Sequence, residues 1–169
     1  MRRLILLRHA KAAPASGGVK DFERPLTERG RRETVAVARD LDREGFAPDL
    51  ALVSSARRAK ETWAHAAQLF PQADVELRAG LYEAPPGAIL DEIGSVAHRA
   101  QTLVVVGHNP GLQELAVTLV QRSGGSASDA RTLGESFPTA TAAVFVADGE
   151  GRLSLEAIFH PERAARAGG

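Results

Sequence analysis

Arg8-His9 stands directly after the apolar run Leu4-Ile5-Leu6-Leu7, and comparable chemistry follows two further runs. Ser54 through Arg58 comes after a run that ends at Val53, and Gly107-His108-Asn109 comes after one that ends at Val106. Each piece alone has an ordinary reading. An Arg-His pair after a strand is commonly a surface loop, Arg57-Arg58 a solvated helix face, and Gly107-His108-Asn109-Pro110-Gly111 a tight turn. Together they set two His and at least one Arg at the ends of three separate apolar runs. The chemistry these side chains share is phosphoryl transfer. A guanidinium fork matches the oxygens of a phosphoryl group and stays protonated. A neutral imidazole can attack phosphorus and split one difficult step into two. A second imidazole, if protonated, adds positive charge and a donor at the equatorial oxygens.

Such residues act together only if the fold brings the run ends to one place. The runs at 4–7, 49–54, 75–78 and 102–106 read as strands, the first, second and fourth of them buried. Helical patterns separate them, at 27 to about 43, 55 to about 69, 86 to about 97, and from Asn109-Pro110 to about Gly124. Ser55 and Asn109 read as helix caps, with Pro110 in the first helical position. Residues 141–147, Asp148-Gly149-Glu150-Gly151 and 152–159 read as a hairpin. Apolar strands that alternate with helices predict an α/β fold. The expected architecture is a single three-layer α/β/α domain over residues 1–160, with a mostly parallel central sheet, the C-terminal antiparallel hairpin and a tail at 161–169. In such sheets ligands bind beyond the carboxyl ends of the strands, where the three motifs lie.

The composition narrows the function classes. Length of 169 residues fits one domain with a real core. Apolar residues make up 44% and charged ones 25%, which excludes a disordered tail or a fibre. Basic and acidic side chains number 21 each, so no bulk charge draws the chain to nucleic acid or to an anionic membrane. Any anion must be held by a local cluster. There is no Cys, which removes thiol catalysis, iron–sulfur clusters and disulfides. The five His form no His-x-x-x-His pair, and no Walker or Gly-x-Gly-x-x-Gly pattern occurs, so neither a metal nor a nucleotide cofactor is expected. His65, His98 and His160 read as structural or exposed. The apolar run after Met1-Arg2-Arg3 is too short for a signal peptide, and no run spans a membrane, so a cytoplasmic protein is expected. The Arg-rich basic set (18 Arg, 3 Lys) reads as the coding bias of a GC-rich bacterium.

Leu7-Arg8-His9-Ala10, the stretch Ser54-Ser55-Ala56-Arg57-Arg58-Ala59-Lys60-Glu61-Thr62 and Gly107-His108-Asn109-Pro110 together resemble the histidine phosphatase, or phosphoglycerate mutase-like, superfamily. Arg24-Pro25-Leu26-Thr27-Glu28-Arg29-Gly30 and Leu81-Tyr82-Glu83 are similar to its SixA-type phosphohistidine phosphatase branch. The likeness runs from about Arg3 to the final hairpin, with Ala10 where many members have Gly. It implies His9 as nucleophile, Arg8 and Arg58 as phosphate clamps, and His108 as the second pocket histidine, with Arg57 an exposed neighbour. Asn109 joins Arg8, Arg58 and His108 as a substrate-binding residue. Glu83 is the implied general acid, with Asp21 another carboxylate near the mouth.

Only 24 residues separate Glu83 from His108, enough for one helix and one strand. Larger relatives that act on small sugars or glycerates insert a helical cap there, so the resemblance implies an open site without a cap. An open site suits a phosphoryl group carried by another protein. The expected activity is metal-independent removal of phosphate from a phosphohistidine, on a histidine phosphotransfer domain or a phosphotransferase-system protein. A small-molecule phosphomonoesterase and a non-catalytic phosphate-binding module are the alternatives.

Overall fold

The computed structural model describes residues 1–161. Four strands, β1 (Arg3–Arg8), β2 (Leu50–Ser54), β3 (Asp74–Arg78) and β4 (Thr102–Gly107), run parallel. Two more, β5 (Ala142–Ala147) and β6 (Leu153–Phe159), form the antiparallel hairpin. The six-stranded sheet has the order β3-β2-β4-β1-β5-β6, with β5 antiparallel to β1.

Side chains alternate between the faces of a strand, so each apolar run feeds two cores. Leu4, Leu6, Leu50, Leu52, Leu103 and Val105 enter one core; Ile5, Leu7, Ala51, Val53, Val104 and Val106 enter the other. The first core is closed by α3 (Pro86–Val96), α4 (Gly111–Arg122) and α5 (Ala127–Glu135), through Ile89, Ile93, Leu112, Leu115 and Leu133. The second is closed by α1 (Glu28–Arg43) and α2 (Arg57–Ala66), through Val37, Leu41, Ala59 and Trp63. Trp63 stacks on Phe70, with ring centroids 6.5 Å apart. The architecture is thus three-layered α/β/α with a mixed sheet. No cap is inserted between Glu83 and His108, because that span holds α3, packed into the core, a short 3-10 turn at Ala97–Arg99, and β4.

Several boundaries differ from expectation. Thr27, expected inside the helix, is instead the cap of α1, its hydroxyl accepting from the Gly30 N–H at 3.0 Å. Ser55 does not cap α2: the cap position is Ala56, and no side chain fills it. Asn109 does not cap α4 either; Pro110 holds that position after a cis Asn109–Pro110 bond, and the Asn109 Oδ1 meets no helix N–H. The fifth helix was not legible, since Leu133 is its one buried residue and its sequence has no apolar stripe. Of the expected tail at 161–169, residues 162–169 lie outside the described residues. No described helix is long and apolar enough to cross a membrane.

Candidate active site

The strand register assembles the site. β4 and β1 pair in parallel with Arg8 opposite Gly107, so the next residues, His9 and His108, emerge side by side. The backbone reinforces this: the His9 N–H donates to the Gly107 carbonyl at 3.0 Å. Their rings lie 5.1 Å apart, tilted at 51°. β2 flanks β4 on the other side, and the hydroxyl of its last residue, Ser54, meets His108 Nε2 at 2.7 Å. The helix that follows carries Arg58 back toward the histidines. Three of the predicted residues therefore form one buried floor, with His9 9%, His108 5% and Arg58 5% exposed.

The tautomer of His9 follows from its partners. A carbonyl only accepts, so the 2.9 Å contact with the Ala10 carbonyl places the proton on Nδ1. Nε2 then carries a lone pair, and Arg58 Nε donates to it at 3.2 Å. The residue that supplies that carbonyl is itself held, because the Ala10 N–H donates to Thr62 Oγ1 at 3.0 Å, and the Thr62 hydroxyl donates to the Arg58 carbonyl at 2.6 Å. One helical turn thus orients both the imidazole and the guanidinium that faces it.

Burial pushes the His9 imidazole down to about 4, aided by the guanidiniums of Arg58, Arg8 and Arg24 and opposed by the Ala10 carbonyl. His108 is pushed to about 3, chiefly by burial, then by His9 and Arg58. Both rings are neutral at pH 7. This suits a nucleophile, and it means that the second imidazole carries no charge in the free pocket. A bound anion would favour the protonated ring.

Arg8 turns its Nη1 to the Phe137 carbonyl at 2.8 Å, and the same carbonyl accepts from Asn109 Nδ2 at 3.0 Å. Asn109 Nδ2 also reaches Gln113 Oε1 at 3.1 Å. Burial and the neighbouring Arg58 lower the pKa of Arg8. Among the described residues, three buried side-chain polar atoms have no hydrogen-bond partner: Arg8 Nε, His108 Nδ1 and Asn109 Oδ1. All three belong to residues at the ends of β1 and β4. An unpaired buried polar group costs about 1–3 kcal/mol, and such groups gathered at one place mark where a ligand is held. An oxyanion offers acceptors to Arg8 Nε and to a protonated His108 Nδ1.

The mouth is built by residues with little sequence signal. Asp21, in a 3-10 turn at Asp21–Glu23, touches Arg58 twice: its backbone carbonyl accepts from Nη1 at 2.8 Å, and Oδ2 lies 3.0 Å from Nη2. The Tyr82 hydroxyl donates to the same Oδ2 at 2.9 Å, and Arg24 Nη1 meets Oδ1 at 2.8 Å. These donors, Arg24 first, hold the Asp21 carboxyl down at about 2. The Tyr82 ring also stands edge-on to His108 at 5.5 Å. Glu83, by contrast, is exposed, sits at a φ of +52° and makes no hydrogen bond or ion pair with a described residue. The structure turns Tyr82, rather than Glu83, into the pocket. Arg57 is exposed and pairs with Glu61 at 2.7 Å, as expected. His98 is exposed, while His160 is half-buried beside the Thr141 hydroxyl at 3.3 Å.

Comparison with known proteins places this arrangement. The sequence model of the histidine phosphatase superfamily (branch 1) matches residues 4–102. The chain belongs to that superfamily. Among relatives of this histidine phosphatase superfamily chain, an uncharacterised protein of Mycobacterium tuberculosis is 40% identical over 138 residues, covering 82% of this chain and 85% of the relative. Among solved structures, a provisionally assigned phosphohistidine phosphatase SixA from Agrobacterium tumefaciens superimposes with a TM-score of 0.83 at 31% identity, covering 95% of this chain and 98% of that one. Its counterpart from Nakamurella multipartitia gives 0.82 at 30%, over 95% and 96%. The superfamily chain thus shares the SixA architecture along nearly its whole length.

Proposed function

We propose that the protein is a metal-independent phosphatase that removes the phosphoryl group from phosphohistidine on another protein. The observation that carries this reading is the lack of a cap between Glu83 and His108: the floor is buried and ordered by hydrogen bonds, and the segment that could form a lid is packed into the core as α3. An uncovered site excludes water poorly, but it admits a phosphorylated imidazole standing on a protein surface. The two SixA structures at 30% identity or more support the same substrate class.

In this reading His9 Nε2 attacks phosphorus as the bond to the substrate imidazole breaks, and the electron pair of that bond leaves with the substrate nitrogen. Arg8 and Arg58 hold the equatorial oxygens, and His108 takes up a proton and donates to them. Asn109 braces the edge of the nest, its amide nitrogen donating to the Phe137 carbonyl and to Gln113 Oε1. Water then attacks the phosphoryl group on His9, releases inorganic phosphate and restores the neutral ring. A protonated imidazole is a good leaving group, so the first step asks little of a general acid. Both carboxylates at the mouth agree with that. Asp21 is held ionised by its cationic neighbours, and Glu83 stays in solvent. A histidine phosphotransfer domain or a phosphotransferase-system protein presents such a group.

The test compares ³²P-phosphohistidine protein with phosphoserine protein and a sugar phosphate, for wild type and Glu83→Gln. Phosphohistidine should turn over fastest and lose less than threefold in Glu83→Gln. Preference for the sugar phosphate, with a large loss in Glu83→Gln, would point instead to a small-molecule phosphomonoesterase.

A further inference from the structure

Among the described residues neither edge strand of the sheet has a second neighbour, and the fold treats the two edges differently. On β6 the exposed positions are Ser154 and Glu156, and its pairing with β5 carries a bulge at Val144/Phe145. Polar side chains and bulges are the usual protection of an edge. Edge β3 pairs with β2 in an unbroken register and exposes Val75 at 51% and Leu77 at 59%. These are two of the three exposed large apolar residues described in the chain. They lie opposite Ala51 and Val53 in the register, so they extend that core row past the end of the sheet.

The backbone phase of β3 is fixed by the Asp74 N–H, which donates inward to the Asp49 carbonyl at 3.0 Å. Backbone groups alternate in direction along a strand, so Asp74, Glu76 and Arg78 face β2, while Val75 and Leu77 turn N–H and C=O outward. The segment Asp74-Val75-Glu76-Leu77-Arg78 is also self-complementary about its centre. Laid antiparallel on a second copy, Asp74 meets Arg78, Val75 meets Leu77, and Glu76 meets Glu76. The outward-facing residues then meet as hydrogen-bonded pairs, with four backbone bonds in all. The Glu76 pair is of the non-hydrogen-bonded kind, and each Glu76 is already neutralised by Arg78 and by Arg99 Nη2 at 2.7 Å. Charge, apolar pattern and hydrogen-bond phase thus agree on one register with two-fold symmetry.

We propose that β3 is a self-association edge, through which two copies join their sheets about a two-fold axis at Glu76. The antiparallel pairing sets the two active-site ends at opposite ends of the joined sheet, so both mouths stay open. A five-residue edge buries less than the roughly 1,200 Å² of a standard interface, so the dimer is weak and forms at high concentration.

The absence of Cys allows a direct test. In a non-hydrogen-bonded antiparallel pair the Cα atoms lie about 4.5 Å apart, within disulfide range. Under mild oxidation Glu76→Cys should yield at least tenfold more covalent dimer than Gly149→Cys in the exposed hairpin turn. The double variant E76C/L77K should fall to the control level. In sedimentation, the wild-type mass should rise with concentration toward twice 17.9 kDa, while Leu77→Lys stays monomeric with unchanged circular dichroism and turnover. Cross-linking of Glu76→Cys no better than the control, or a wild-type mass constant at 17.9 kDa, would overturn the proposal.

Discussion

At His9 a single backbone carbonyl decides which ring nitrogen is free. The Ala10 carbonyl takes Nδ1–H, and Nε2 is left facing Arg58. The same economy appears in Asp21, whose carbonyl and carboxylate each hold one nitrogen of the Arg58 fork. Replacing Asp21 has two opposed consequences. Loss of the negative charge favours anion binding, and loss of the anchor lets Arg58 drift from the geometry that serves the transition state. A charge-assisted hydrogen bond contributes about 1.5–3 kcal/mol, so the second effect should govern turnover. Asp21→Asn should lower kcat about tenfold or more on an aryl phosphate while KM does not rise. Steady-state kinetics separate these terms, and a raised KM with unchanged kcat would mean that Asp21 serves binding alone.

The depressed imidazoles also set a pH dependence of stability. An unfolded His titrates near 6.5, whereas His9 and His108 titrate at about 4 and about 3 when folded. Between these limits the unfolded chain binds more protons than the native one, so stability rises with pH. The contribution is fully present above about pH 6.5 and is lost as pH falls through the folded values. Urea unfolding should therefore lose a few kcal/mol from pH 7 to pH 4, and His9→Asn should flatten that slope.

The elements place these side chains by register. Parallel pairing of β1 with β4 and of β4 with β2 sets His9, His108 and Ser54 in a row. A close approach then fixes the rim: a Cβ on Gly111, at the start of α4, would overlap the carbonyl oxygen of Ala84 and crowd Ile89. That contact seats the loop that carries Tyr82. Gly111→Ala should destabilise the fold by about 1–3 kcal/mol and reduce turnover, as measured by thermal melting and kinetics. Much of this scale was legible in the sequence. Continuous apolar runs reveal the buried strands, because alternate side chains feed two cores; the motifs at their ends point to Arg8, His9, His108 and the Arg57-Arg58 pair, and the family resemblance singles out Arg58. The Phe137 carbonyl shared by Arg8 and Asn109 was not legible, since a main-chain acceptor has no residue signature. Tyr82 stands in the sequence only as part of a motif; its contact with Asp21 depends on the approach of two loops distant in sequence. Helix starts at Ala56 and Pro110 differ from expectation because neither Ser55 nor Asn109 presents its side-chain oxygen to a helix N–H; the Asn109 Oδ1 has no partner among the described residues.

On the scale of the molecule, a buried anion nest under an uncovered mouth links ligand binding to global stability. An oxyanion that binds only the folded state stabilises it by about 2.7 kcal/mol at a hundredfold excess over Kd. Tungstate or phosphate should raise the melting temperature of wild type, more at pH 6 than at pH 8 because His108 takes up a proton with the anion. Arg58→Ala should abolish the shift. The most direct measurement is of the covalent step itself. Wild-type protein mixed with ³²P-phosphohistidine substrate and quenched in alkali should carry label that survives alkali and is lost in acid, while His9→Ala carries none. Equal label on His9→Ala, or acid-stable label on the wild type, would contradict a phosphoryl transfer through His9.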